Sequence, residues 1–415
     1  MRLLCLTLWF TFTLLCLYST AHSQTVETRV NPNEQNISYL YSLESPLSGD
    51  VRLAMGEDEA TVFLRLNLRN INIEINDISY RIKESYEADD NTGQGNISDE
   101  ALIREESGER IYQFNIPIQE KSNFLFLFVE ITIGGNQRIF RFDEPLNNDL
   151  NFPLTDLVVM EAEQEIPIFS NFLPKETPFR IVSLYGENKE AFIYFYSHNF
   201  EPNPPPMANR SDQVQKSLQI DSIFPIQLGE NLKFEKEGLY FTQTDTTSLS
   251  GISFRVEEPY YPRMVTAEKL ANPIRYISTS DEMENILDEE DRKIALDRYW
   301  IKVTRSRERA KEVIREYYRQ VTKSNILFTS YKEGWKTSQG MIYLLYGPPD
   351  QVYRSSNQEN WVYNDESNLM QDLSFTFVKV RNIFTKNHFN LIPDEAYSKF
   401  WYRNIDLWRK GRKQI

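Results

Sequence analysis

The sequence predicts a multidomain protein, mainly β at the front and α+β behind, with two β-sandwich modules followed by a helical pair and a small antiparallel sheet. Three observations point there. Apolar residues alternate with period two over much of residues 24–260 and then change to helical spacing. Charge changes at the same place, since residues 24–259 hold 19 Lys+Arg against 39 Asp+Glu and residues 260–415 hold 26 against 21. Tryptophan changes with it: Trp300, Trp335, Trp361, Trp401 and Trp408 all lie behind that point, and none lies between 24 and 260.

The first element is an export signal. Met1-Arg2 gives a short positive end, Leu3 to Tyr18 is apolar except for three threonines, and Ala21 and Ser23 occupy the small-residue positions of a cleavage site before Gln24. The apolar core is shorter than the roughly 20 residues of a membrane-spanning helix. Leu14-Leu15 ahead of Cys16 does not suit lipid attachment. Both cysteines, Cys5 and Cys16, lie inside this signal. The mature chain, expected in the periplasm, at the cell surface or secreted, then has no disulfide, no thiolate metal site and no cysteine nucleophile. No later stretch is long and apolar enough to span a bilayer, so no transmembrane segment is expected in the mature chain.

The first β module is read over 24–152. Val62, Leu64, Leu66 and Leu68 alternate with Phe63, Arg65, Asn67 and Arg69, the pattern of a strand with one face on a core. Further strands are expected at Ile37 to Leu43, Val51 to Met55, Ile78 to Ile82, Ile111 to Ile116, Phe124 to Ile133 and Arg138 to Phe142. Gly134-Gly135-Asn136 turns the last two into a hairpin. A second module over 153–260 carries strands at Leu157 to Met160, Phe179 to Tyr185, Ala191 to His198, Ser217 to Ile226, Gly238 to Thr244 and Ile252 to Val256. Glu201-Pro202-Asn203-Pro204-Pro205-Pro206 is an extended loop, because proline cannot pair inside a sheet. Strand count and spacing alone make both modules immunoglobulin-like.

Residues 261–415 form the α+β part. Thr279-Ser280-Asp281-Glu282 has capping-box spacing and opens a helix carrying Ile294, Leu296, Tyr299, Trp300 and Val303. Ala310, Val313, Ile314, Tyr317 and Val321 fall on one stripe of a second helix. In the segment from Gly334 to Asp350, two glycines bracket a polar loop, Met341 to Tyr346 reads as a β run, and Gly347-Pro348-Pro349-Asp350 breaks it. Trp361-Val362-Tyr363 and Leu373 to Val380 supply partner strands, and Tyr397, Trp401, Ile405 and Trp408 mark a last helix.

At these residues the chain resembles the GWxTD domain family of exported bacterial proteins, particularly of the Bacteroidetes type. The resemblance covers roughly 270 to 405. It rests on paired helices leading into Phe328, on GWKTSQGMIYLLYGPPDQVY, and on a strand centred on Trp361. One position departs, since the aspartate of the family motif falls at Ser338, and a hydroxyl does not supply a carboxylate's charge. The resemblance implies an envelope setting and accompanying β modules, and implies no reaction.

Gly334, Trp335, Thr337, Ser338, Gly340, Tyr346, Gly347, Pro348, Pro349, Asp350 and Trp361 are the candidate binding residues. Trp335 offers a stacking surface and Asp350 an acid or base. Each also has a structural reading, with Trp335 plugging a helix–sheet core, the glycines and prolines fixing turns, and Asp350 bonding turn amides. His198 and His388 are far apart, so no histidine metal site is expected, and acid pairs such as Glu57-Asp58-Glu59 lack calcium-loop spacing. No nucleophile elbow, zinc-protease helix or phosphate loop appears, and no cofactor is expected. The acidic front opposes nucleic-acid binding, and the basic tail of Arg403, Arg409, Lys410, Arg412 and Lys413 reads as a solvated helix end. Sequons at Asn36, Asn96 and Asn209 matter only in a glycosylating host.

Two functions remain. The first is a non-catalytic envelope protein whose β modules and C-terminal domain bind a protein partner or a cell-wall polymer. The second is an extracytoplasmic hydrolase of glycan or peptide, using carboxylates such as Asp350 and Glu333.

Overall fold

The computed structural model describes residues 36–118, 125–135, 137–146, 154–187, 189–208, 218–364 and 372–413. The segment expected to be an export signal, with Cys5 and Cys16, Asn136 of the hairpin turn and the sequon at Asn209 lie outside them. Residues 36–415 make one compact unit.

The alternating segments at the front form β1 (Leu47–Met55), β2 (Glu59–Leu68), β3 (Ile75–Lys83), β4 (Gly93–Asn96), β5 (Leu102–Glu106), β6 (Glu109–Pro117), β7 (Phe126–Ile133) and β8 (Arg138–Pro145). They make two antiparallel four-stranded sheets, ordered β1-β2-β6-β5 and β4-β3-β7-β8. Each sheet hides one face, and Val62, Leu64 and Leu66 of β2 share a core with Leu127, Val129 and Ile131 of β7. The expected β7–β8 hairpin is present, with Ile133 opposite Arg138. Phe63 sits on the other face of β2 and packs with Val158, Met160 and Phe169. The outward face is therefore apolar at the point where the next sheets cover it.

Those sheets are built from β9 (Leu157–Glu161), β10 (Phe172–Pro174), β11 (Phe179–Ser183), β12 (Glu190–Tyr196), β13 (Ser222–Gln227), β14 (Asn231–Leu232), β15 (Gly238–Gln243) and β16 (Ile252–Glu257). Their orders are β10-β16-β15-β12-β13 and β14-β11-β9. Ile181, Ile193, Tyr240 and Phe254 lie in the core between them.

The chain then forms α1 (Ala267–Ala271), α2 (Ser280–Asp288), α3 (Arg292–Thr304), α4 (Arg307–Phe328), α5 (Ser338–Tyr346), the strands β17 (Gln351–Arg354), β18 (Gln358–Tyr363), β19 (Leu373–Lys379) and β20 (Phe389–Leu391), and α6 (Tyr397–Arg409). The strands pair in that order as one antiparallel sheet. All five tryptophans after residue 260 are buried in the core of this part, which explains their crowding there.

Four sequence expectations are corrected. Ile37 to Leu43 is not a strand but contains a 3-10 turn, Ser38–Tyr41. Asn36 Oδ1 accepts the Ser38 and Val352 amides, and Ile37 and Tyr41 both enter the core that holds Trp361, so a helical turn meets the burial that an alternating strand would not. The helix opening at the Thr279–Glu282 capping box stops at Asp288. Asp291 then caps a separate α3 by accepting the Ile294 amide, which leaves the Ile294 side chain exposed. Ser217 lies outside the described residues, and the strand there begins only at Ser222. Finally, Met341 to Tyr346 is helical, not β. Every side chain from Ser338 to Leu345 is buried, and a helix buried all round shows no amphipathic period.

Candidate functional site

After α4 ends at Phe328 the chain reverses, makes a 3-10 turn at Gly334–Lys336, and enters α5. Thr337 sets that entry. Its Oγ1 accepts the Gly340 amide at 2.9 Å and donates to the Gly334 carbonyl at 2.8 Å, so one hydroxyl caps α5 and closes the turn before it. Both glycines are required by close approach. A Cβ on Gly340 would lie 1.8 Å from the Gly334 carbonyl oxygen, and one on Gly334 would lie 2.1 Å from that of Ser324 on α4. Trp335 is buried edge-on to Tyr276, with ring centroids 6.0 Å apart.

The polar side chains of this segment reach into the preceding β region. Asn203, in the middle of the proline-rich loop, is buried. Its Oδ1 accepts from Lys332 Nζ at 2.6 Å, its Nδ2 donates to Ser338 Oγ, and its backbone amide donates to the Lys336 carbonyl at 2.9 Å. Tyr276 donates to its carbonyl at 3.2 Å. Ser338 Oγ also accepts the Leu391 amide of β20 at 3.1 Å. Lys336 pairs with Glu333 and donates to Asn199 Oδ1 at 2.6 Å.

A buried charge cluster lies beside this clamp. Arg255 of β16 pairs with Glu257 at 2.5 Å and donates to the Tyr331 carbonyl at 2.9 Å. Glu237 pairs with Lys269 of α1. Burial, only partly offset by Arg255 and reinforced by the charges of Glu333 and Glu237, pushes the Glu257 carboxyl up to about 7.

A second hub forms around Glu359 of β18, which is fully buried. Its oxygens accept from Tyr41 at 2.8 Å, Gln339 at 2.8 Å, Trp361 Nε1 at 2.9 Å and Arg354 Nε at 2.6 Å. A carboxylate has about four lone-pair sites, and these donors fill them. Arg354 continues to Asp143 of β8 at 2.6 Å, whose other oxygen accepts from Tyr86. Burial first, and Glu359 next, hold the Tyr41 hydroxyl well above its ordinary value, so it remains a donor.

A family model, that of the GWxTD domain, matches residues 238–410. The chain carries a GWxTD domain. The match begins in β15, so it takes in two strands that the sequence reading placed in the second β module, together with Arg255 and Glu257. No curated protein matches the chain. Among solved structures, a mutant of Salmonella alpha-2-macroglobulin is similar at 11% identity and a TM-score of 0.20, covering 54% of this chain and 17% of that one. The chain thus spans under a fifth of that structure, and a likeness at this TM-score carries no argument.

Within the GWxTD domain the candidate residues divide into groups. Gly334, Trp335, Thr337, Ser338 and Gly340 sit together in the clamp, and Gln339 between them joins it to Trp361 through Glu359. Tyr346 ends α5 and packs against Tyr363 at 5.5 Å. Gly347, at φ +87°, turns the chain and accepts the Tyr363 hydroxyl. Pro348 is exposed and Pro349 buried, and the exposed Asp350 carboxylate accepts the Asn364 amide at 2.8 Å. Glu333, by contrast, is buried and ion-paired. Ser338, in the place of the motif aspartate, serves two N–H donors with one neutral oxygen. Among the described residues no group of three or more His, Cys, Asp or Glu is arranged to hold a metal ion.

Sequence reasoning missed Asn203, Lys332, Lys336, Gln339, Arg354 and Glu359. One signal was available for the last: Glu359 stands two residues before Trp361 on a strand, hence on the same inward face, and a carboxylate there needs buried partners.

Proposed function

We propose that the protein is an exported, non-catalytic component of the cell envelope, in which the GWxTD domain holds two immunoglobulin-like β modules as one rigid body that binds a protein or a cell-wall polymer. The single observation carrying this reading is that the polar groups of the GWKTSQG segment are turned inward, onto Asn203, Asn199, Glu333, Leu391 and Glu359. A hydrolytic centre needs a carboxyl group free to exchange a proton with substrate. Glu359 is saturated, Glu333 is paired with Lys336, and Asp350, the exposed one of the three, is bonded to the Asn364 amide at the end of β18. The export signal read at residues 1–23 and the envelope setting belong to the same proposal. Among the described residues no helix is long and apolar enough to cross a membrane.

The test is co-sedimentation of the intact protein with purified cell-wall sacculi, with soluble sugar and peptide fragments measured in the same tubes. Saturable binding without fragment release is expected. Fragment release that scales with protein and time contradicts the non-catalytic reading.

A further inference from the structure

A cavity of about 150 Å³ lies where three parts of the fold meet. β1 supplies Arg52 and Leu53, the second β region supplies Asn171 and Phe254, and the segment between β19 and β20 supplies Phe384 and Lys386. Its lining mixes apolar side chains with Arg52, Asn171, Ser253 and Lys386, and its volume is about that of a site that takes a benzene-sized molecule.

Arg52 distinguishes this cavity from a packing defect. Its Nη2 donates to Asn171 Oδ1 at 2.9 Å and to the Phe169 carbonyl, while Nη1 has only the Val51 carbonyl at 3.5 Å. Among the described residues no carboxylate lies within ion-pair distance of it. The other arginines at such junctions are paired, Arg354 with Asp143 and Glu359, and Arg255 with Glu257. Lys386, the second cation of the cavity, is already held by Glu144. Asp50 and Glu144 act on Arg52 only through their field, and Arg65 opposes them. A half-buried guanidinium with donors to spare can take an anionic acceptor, and its planar fork matches a carboxylate.

We propose that this cavity binds a small organic carboxylate with a compact apolar body, of the size of an aromatic acid, with its carboxylate on Arg52 and its ring against the apolar lining that includes Phe254 and Phe384. Burial pulls the Arg52 pKa down from its ordinary value, and the fields of Asp50 and Glu144 offset this only in part.

The intact protein is titrated calorimetrically with benzoate, benzyl alcohol, acetate and inorganic phosphate. Benzoate is expected to bind at least about tenfold more tightly than benzyl alcohol, as a charge-assisted contact requires, and more tightly than acetate or phosphate. Arg52→Met keeps the bulk and removes the charge, so it should erase the preference for benzoate over the alcohol. Thr385→Trp, in the lining between Phe384 and Lys386, keeps Arg52 and fills the space, so it should abolish binding of both, and it serves as the test if Arg52→Met does not fold. The proposal is overturned if no probe binds at millimolar concentration, if benzoate and benzyl alcohol bind equally, if phosphate binds as well as benzoate, or if Thr385→Trp leaves benzoate binding unchanged.

Discussion

The side-chain amide of Asn203, on the proline-rich loop, donates a hydrogen bond to Ser338, the residue that stands where the GWxTD motif has its aspartate. The same amide group accepts from Lys332 at 2.6 Å, so the loop is fastened on both sides of the GWKTS turn. Proline on either side of Asn203 limits the backbone freedom of the loop, which lowers the entropy lost in placing one buried side chain so far from its sheet.

The two motif glycines are set by backbone, not by pocket shape. Adding a methyl at Gly340 places it against the Gly334 carbonyl, and at Gly334 against α4, where neither neighbour is the flexible end of a side chain. Gly340→Ala and Gly334→Ala should each cost about 3 kcal/mol or more, as overpacking against backbone does at its upper end. Chemical denaturation measures this, and a loss below about 1 kcal/mol at either site would mean the turn has room that the structure does not give it.

Glu359 should behave as a structural hub. Glu359→Ala leaves the half-buried Arg354 with Asp143 as its one carboxylate and removes the fully buried acceptor of Tyr41, Gln339 and Trp361, so a loss of about 3–5 kcal/mol is expected. Tyr41→Phe leaves the other three donors in place and should cost only about 1 kcal/mol. Urea unfolding midpoints of the two variants, compared at equal slope, check the order. Equal losses would contradict a saturated hub.

Glu257 makes stability depend on pH in a defined direction. Its folded value of about 7 stands above the ordinary 4.5, with Arg255 opposing the rise and Glu333 and Glu237 adding to it. Between those values the folded state holds more protons than the unfolded one, so this group's contribution falls as pH rises from about 4.5 to about 7 and is fully lost above it. The stability of the wild type relative to Glu257→Gln should therefore decline across that window in thermal unfolding. A difference that stays constant, or grows with pH, would contradict the assignment.

The legible part of this fold is the part where one face is buried and the other wet. β2 could be read from Val62, Leu64, Leu66 and Leu68, and α4 from Ala310 to Val321, because their periods record that asymmetry. α5 was unreadable for the opposite reason, since Met341 to Leu345 are buried all round and a short apolar run fits strand and helix alike. The 3-10 turn at Ser38–Tyr41 depends on Val352 and Glu359, more than 300 residues away, and no local pattern carries such a contact. At the candidate site the glycines and Trp335 were legible as turn and core residues, but Thr337 was not legible as a cap, because the run it opens reads as a strand. Asn203 was not, because a polar residue between prolines looks like any solvated loop until its partners are placed around it.

The central claim is that the GWKTSQG segment works as a clamp on the β region. A double-mutant cycle with Asn203→Ala, Ser338→Ala and the pair, read by equilibrium unfolding, tests it most directly. The clamp predicts a coupling of about 1 kcal/mol or more between the two positions, as for residues sharing one hydrogen-bond network. Additivity within about 0.5 kcal/mol would contradict it.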